Sequence, residues 1–296
     1  MARTTDVAAR TDPGLVRERN EDRWLTRRYS GVTLLAVADG VGGEAGGDIA
    51  STAAIEGLAK TFGPPSFRES ARSALGQAVR LANRAVLDAS KDERYARAAT
   101  TLVAAAIRGR EAAIANVGDS RAYLVRDGAI RQVTTDHSGD AASSITRFLG
   151  DPRGVQPDIF VETLQPADRL VLCSDGLTRH VSDPEIASAM AQDPSRAADA
   201  LVALARSRGG EDNITVIVYA QKRPAVSRAL AGTLILALLI LVAIAGAMGA
   251  LLATQVPTVP TAVPPASPSA SATVSPTAVP TESPSPSVTP APTASP

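Results

Sequence analysis

The spacing of apolar residues changes several times along the chain, and each change marks an element. Val32–Asp39 is a short, nearly unbroken apolar run (Leu34, Leu35, Ala36, Val37, Ala38) and predicts a buried strand. Helical spacing follows from about Gly47 to Lys60, with Ile49, Ala53 and Leu58 towards the core, until Pro64-Pro65 breaks it. Ser66 with Glu69 forms a capping box for a second helix, in which Ala71, Leu75, Ala78, Val79, Ala82 and Val86 share one face. The pattern then turns to strands: Thr100–Ile107, Glu111–Val117, Ser120–Arg126 and Ala129–Val133. Arg108-Gly109 and Asp127-Gly128 are the turn signals between them, the second a two-residue hairpin. A further strand, Arg169–Cys173, precedes two helices. One is opened by Ser182 and Asp183 with Pro184 and Glu185, the other by Asp193-Pro194, ending near Gly209-Gly210. Ile214–Tyr219 is the last strand of this region.

Beyond it the patterning stops. Residues 1–221 have the make-up of one globular α/β domain, and residues 222–228 form a basic linker with Lys222, Arg223 and Arg228. Ala229–Ala253 is an uncharged run long enough to cross a bilayer once. The remaining residues, 254–296, are almost entirely Pro, Ser, Thr, Ala and Val, with Glu282 the sole charge, and cannot bury enough surface to fold. Basic residues precede the apolar run and none follows it. The positive-inside rule therefore places residues 1–221 in the cytoplasm and the tail outside, at a cell membrane. The N-terminus has no apolar segment of the signal-peptide kind. Gly246 and Gly249 do not complete a GxxxG pattern, so a monomer is expected.

Charge narrows the function classes. The 30 basic and 30 acidic residues cancel, which argues against a nucleic-acid partner. The one cysteine, Cys173, lies in an apolar run; it excludes a disulfide framework or a cysteine-rich zinc site and reads as a small core residue. His137 reads as a structural, hydrogen-bonded histidine.

The candidate chemistry lies in carboxylates at strand boundaries. Asp39-Gly40 ends the first buried strand and opens a glycine-rich turn, and Asp175-Gly176 repeats the design after Arg169–Cys173. Asp119 lies between two strands, Asp212 precedes the last one, and Glu21-Asp22 adds a further acidic pair. Each alone is equally a solvated turn. Brought together they would repel strongly unless divalent cations neutralised them, and all-oxygen ligation selects Mg²⁺ or Mn²⁺ over zinc. Two such ions ~3.5–4 Å apart can activate a water against a phosphorus atom without a protein nucleophile. Arg17 is the natural cation to hold the phosphate.

The ordered motifs DPGLVRERNED, VADGVGGEAGG, ATTLVAA, ANVGDSRAYLVRDG, TTDHS, LCSDGLTRHVSD and GGEDNITVIV closely resemble the metal-dependent serine/threonine phosphatases of the protein phosphatase 2C type, bacterial branch. The resemblance spans nearly all of residues 3–220. It implies an α+β fold, a four-layer α-β-β-α sandwich of two antiparallel sheets flanked by helices, with metals at one end. It further implies that Asp39 bridges two core ions, that the Gly40 carbonyl binds one of them, and that Asp175 and Asp212 complete the other's shell. Glu21 and Asp22 would hold metal-bound waters, Asp119 with Asp175 would take a third, weaker ion, and Arg17 would bind phosphate. The implied substrates are phosphoserine and phosphothreonine proteins, with a membrane-associated Ser/Thr kinase and its targets as partners. An inactive, membrane-tethered phosphoprotein-binding scaffold is the alternative. Two departures stand out. Val41 replaces a histidine that animal members carry and that is proposed as general acid, and only Gly139–Phe148 separates Ser138 from Leu149-Gly150, where bacterial members have a long flap.

Overall fold

The computed structural model describes residues 6–29, 31–41, 46–63, 70–92, 95, 97–139, 145–222 and 239–248. The chain divides into two compact units, Met1–Ala225 and Val226–Pro296.

The first unit holds two antiparallel sheets. One has the order β1 (Val7–Asp12), β11 (Ile214–Ala220), β10 (Arg169–Cys173), β7 (Arg121–Arg126), β8 (Ala129–Gln132). The other runs β2 (Asp22–Tyr29), β3 (Val32–Val41), β5 (Leu102–Arg108), β6 (Glu111–Val117), β9 (Asp158–Thr163), with the two-residue β4 (Ala99–Thr100) paired to the end of β3. Helices α1 (Gly46–Thr61) and α2 (Ala71–Ala89) cover the second sheet. Helices α3 (Asp175–Thr178), α4 (Asp183–Ala189) and α5 (Pro194–Ser207) cover the first.

Three apolar layers result, and the alternation along each central strand assigns its residues to them. On β3, Leu34, Ala36 and Ala38 face α1 and α2, while Leu35 and Val37 enter the inter-sheet core with Leu170, Leu172 and Ile217. On β10, Val171 and Cys173 face the other helices. Both faces of these strands are buried, which is why they read as continuous apolar runs instead of alternating ones. Burial also pushes the Cys173 thiol up to about 12, as suits an inert core residue.

Most predicted elements stand within a residue or two, with four corrections. The strand expected over Thr100–Ile107 is broken at Thr101, whose backbone N–H and hydroxyl both turn to Asp39. Helix α2 starts at Ala71 with Ser70 as its N-cap, donated to by the Ser73 N–H; Ser66 and Glu69 lie outside the described residues. The polar stretch from Thr11 to Asp22, where the pattern marks no element, holds the end of β1 at Thr11 and Asp12 and the start of β2 at Asp22. Strands β1, β2 and β9 carry too few apolar residues to announce themselves, and only pairing with β11, β3 and β6 makes them strands. The Asp127-Gly128 hairpin is as expected, with both residues at positive φ (51° and 81°).

In the second unit residues 239–248 are helical, and the rest of the expected span Ala229–Ala253 lies outside the described residues. Among the described residues no helix is long and apolar enough to cross a membrane.

Candidate metal centre

Antiparallel pairing gathers the acidic residues at one end of the sandwich. Asp39 lies near the C-terminal end of β3, directly opposite Asp22 at the start of β2. Asp175 follows the end of β10 and Asp212 precedes β11, the strand paired to it. Asp119 sits in the turn after β6.

Two glycines let these segments close up. A Cβ on Gly40 would run into the backbone of Gly47 at the start of α1, and one on Gly176 would run into the Asn213 carbonyl. A Gly176 Cβ would also lie 3.5 Å from the Asp212 Cβ, so the two Asp-bearing turns are in contact. Neither glycine adopts a positive φ; what they provide is close approach.

A seam of neutral polar groups stitches the sheets together beneath the acids. The Ser174 hydroxyl donates to Asp22 Oδ2 at 2.7 Å and accepts from the Thr215 N–H at 2.9 Å. Asn213 Oδ1 accepts the Glu21 N–H at 2.8 Å, and its Nδ2 donates to the carbonyls of Pro13 and Arg19, both at 2.9 Å. Asp39 is fixed through its backbone: its N–H donates to Thr101 Oγ1 at 3.1 Å, and its carbonyl accepts from the Thr100 hydroxyl at 2.9 Å. Thr101 is itself bonded to Ser120 at 2.7 Å. Sequence reasoning assigned no role to Ser174, Asn213, Thr101 or Ser120. Their signal was adjacency, since Ser174 precedes Asp175, Asn213 follows Asp212 and Ser120 follows Asp119.

The cluster is electrostatically strained. Burial raises the Asp39 carboxyl well above its ordinary value, and Asp22, Asp175, Asp212 and Asp119 raise it further. Asp22, 2% exposed, is pushed up to about 7 by burial, with Asp175 and Asp212 adding to the shift against hydrogen bonds from Thr215 and Ser174. Asp119 rises to about 6 through burial and then Asp175. Burial raises Glu21 as well, partly offset by Arg17.

Three oxygens, Asp22 Oδ1, Asp119 Oδ1 and Asp175 Oδ1, are buried without a hydrogen-bond partner. Arg17 donates to Asp212 Oδ2 at 3.0 Å, and Arg179, which sequence reasoning passed over, donates through Nε to Asp175 Oδ2 at 2.9 Å. Among the described residues no group of three or more His, Cys, Asp or Glu is closed into a ready metal cage. The donor set nevertheless fits hard divalent ions: carboxylates from five strand ends, Asp22 buried and the others partly so, three orphaned oxygens, and no sulfur or imidazole among them.

His137 is buried, with Nδ1 accepting the Gly118 N–H at 3.1 Å and Nε2 3.0 Å from Asp158 Oδ2, as expected of a structural residue. Residues 140–144 of the short Gly139–Phe148 connection lie outside the described residues; on either side of them Ile145 bridges to Ser138, and the Thr146 N–H donates to the His137 carbonyl at 2.8 Å.

Fold and site together define a protein phosphatase 2C: the family model described as "Protein phosphatase 2C" matches residues 16–211, and the chain belongs to that family. Among its relatives, the serine/threonine protein phosphatase PstP of Mycobacterium tuberculosis is 36% identical over 262 residues, covering 78% of this chain and 50% of that protein. The chain thus spans about half the length of PstP. The serine/threonine phosphatase stp of Listeria monocytogenes is 34% identical over 234 residues, 71% of this chain and 93% of the relative. A solved catalytic domain of PstP, in complex with two manganese ions, superposes with a TM-score of 0.65 at 36% identity, over 72% of this chain and 96% of that one.

Proposed function

We propose that this chain hydrolyses phosphoserine and phosphothreonine on proteins, with two Mn²⁺ or Mg²⁺ ions held by Asp39, the Gly40 carbonyl, Asp175 and Asp212. One observation carries the reading. Carboxylates from both sheets are held at one end of the sandwich by a fully bonded polar seam, with more negative charge than the local arginines neutralise. Family membership and the manganese-bound relative point the same way.

When bound, the ions supply Lewis-acid charge and lower the pKa of water. The chain's own residues do the rest. Asp39 is presented from β3 by a backbone that Thr100 and Thr101 hold in place. Asp22 and Glu21, on the β2 side, stand close enough to the cluster to feel its charge and orient water there. Arg17 is half-exposed beside Asp212 and offers a planar fork to two phosphate oxygens arriving from solvent. Asp119 serves a third, weaker cation together with Asp175. Val41 is exposed and cannot act as a proton donor, so the residue at this position does not protonate the leaving group. No core aspartate is missing, which speaks against the inactive-scaffold alternative; the short Gly139–Phe148 connection is the one feature on its side.

The run Ala229–Ala253 anchors the enzyme in the cell membrane by a single pass, with Lys222, Arg223 and Arg228 keeping residues 1–221 in the cytoplasm and the 254–296 tail outside. That address brings it to phosphoproteins of a membrane-associated Ser/Thr kinase, the kinase included.

The test is manganese-dependent hydrolysis of p-nitrophenyl phosphate and of a phosphothreonine peptide, with Asp39→Asn beside the wild type. We expect activity only with Mn²⁺ or Mg²⁺ and a loss of ~10³-fold or more in kcat for the variant. Near-wild-type turnover in Asp39→Asn would defeat the mechanism.

A further inference from the structure

We propose that Arg179 is a second phosphate-side residue, which holds Asp175 in the metal-free protein and turns to the substrate anion once Asp175 is committed as a ligand. The proposal rests on the metal-dependent reading above and extends it to a residue that the motif resemblance does not assign.

Arg179 is the C-cap residue of α3, four residues after Asp175, so the two side chains share one face of that turn. Its Nε and Nη2 both donate to Asp175 Oδ2, and among the described residues the side chain has no other hydrogen-bond partner. A fork spread over both carboxylate oxygens would satisfy Asp175. Here both donors crowd one oxygen and leave Oδ1 buried and unpartnered, facing a cluster whose charge the guanidinium also reaches at Asp212, Asp39 and Asp119. Arg179 thus acts as a tethered counter-charge for a site built for another cation.

Its position gives it a second use. The Arg179 side chain is 45% exposed and that of Arg17 is 52% exposed, while the carboxylates they hold, Asp175 and Asp212, are 17% and 18% exposed. Asp175 and Asp212 sit on touching turns, so the two exposed arginines hold carboxylates on adjoining segments of the cluster. A carboxylate whose charge is taken up by a divalent ion is a poor partner for a guanidinium. A phosphate dianion entering from solvent is then the strongest acceptor within reach, and a planar fork matches its geometry.

The test uses the full-length chain as wild type, Arg179→Met and Arg179→Lys, with calorimetric titration of Mn²⁺ and then of inorganic phosphate into the Mn²⁺-loaded protein. Arg179→Met is expected to bind Mn²⁺ about fivefold more tightly, because the competing exposed ion pair is gone. It should bind phosphate about tenfold more weakly, because one charge-assisted fork is lost. Arg179→Lys keeps the charge and guards against loss of fold: it should bind Mn²⁺ as the wild type does and phosphate about threefold more weakly. Unchanged phosphate affinity in Arg179→Met overturns the proposal, and so does weaker Mn²⁺ binding, which would make Arg179 only a positioning residue for Asp175. A wild type that takes up no Mn²⁺ would instead overturn the metal-dependent reading and this inference with it. Wild-type Mn²⁺ uptake with no phosphate effect sinks the assignment of Arg179 alone.

Discussion

Replacing Asp22 by Asn should make the metal-free protein more stable at alkaline pH, although Asp22 belongs to the centre itself. In the folded chain the carboxyl titrates at about 7, raised first by burial and then by Asp175 and Asp212. In the unfolded chain it titrates at ~3.9. Between those values the folded state holds a proton that the unfolded chain has released, so stability falls as pH rises through the window and levels off above it. Three pKa units at ~1.36 kcal/mol each come to on the order of 4 kcal/mol. Asn keeps the shape and can still accept the Ser174 hydroxyl, but it carries no charge and relieves Asp39, whose carboxyl Asp22 helps to raise. At ~2–4 °C per kcal/mol for a domain of this size, Asp22→Asn should melt about 10 °C above wild type at pH 8 in EDTA. At pH 4.5 the two should differ little. Added Mn²⁺ should reverse the order, because the wild type gains more from ligand linkage. Differential scanning calorimetry across pH, with EDTA or Mn²⁺, reads all three arms. A variant that is no more stable than wild type at pH 8 in EDTA would show that burial and the acidic neighbours do not raise the Asp22 carboxyl, and the argument for a cation site would lose that support.

Arg17→Ala should raise KM for phosphopeptide by ~10-fold while kcat changes little, since its fork serves phosphate binding; steady-state kinetics showing the opposite split would remove it from that role. Asp119→Ala should leave uptake of two Mn²⁺ intact in calorimetry while lowering activity on phosphopeptides, and loss of those two ions would place Asp119 among their direct ligands. Gly176→Ala should cost about 3 kcal/mol or more, because the new methyl meets the Asn213 backbone, which is no flexible side-chain tip; chemical denaturation measures it. Protease added to wall-stripped intact cells should trim residues 254–296 and spare residues 1–228, and digestion of the phosphatase domain would show the reverse orientation.

How much of this was legible in the chain follows from where the information lies. Strands buried on both faces, such as β3 and β10, have their own composition as their signature, because each residue must be apolar whichever way it points. Helices α4 and α5 were marked by Ser182, Glu185 and Asp193: Glu185 reaches back to accept the Ser182 N–H, and Asp193 accepts the N–H groups of Ser195 and Arg196. The acids at strand ends, Asp39, Asp119, Asp175 and Asp212, were conspicuous because a carboxylate beside a buried run requires a partner.

What the sequence alone left open depends on contacts between distant segments. β1, β2 and β9 are half-exposed edge or near-edge strands whose identity comes from hydrogen-bonding neighbours far along the chain. That Asp22 faces Asp39 is a matter of register, and that Asp175 meets Asp212 follows from two glycines admitting a neighbouring backbone. Arg179 could be seen only in three dimensions, since an arginine after a short helix is unremarkable until its charge lies against a centre that other elements assemble. Local composition determined what each segment is, because propensity and burial act residue by residue. Only the tertiary structure decided what the segments do together, because repulsion among buried charges exists only once the sheets have brought them within reach.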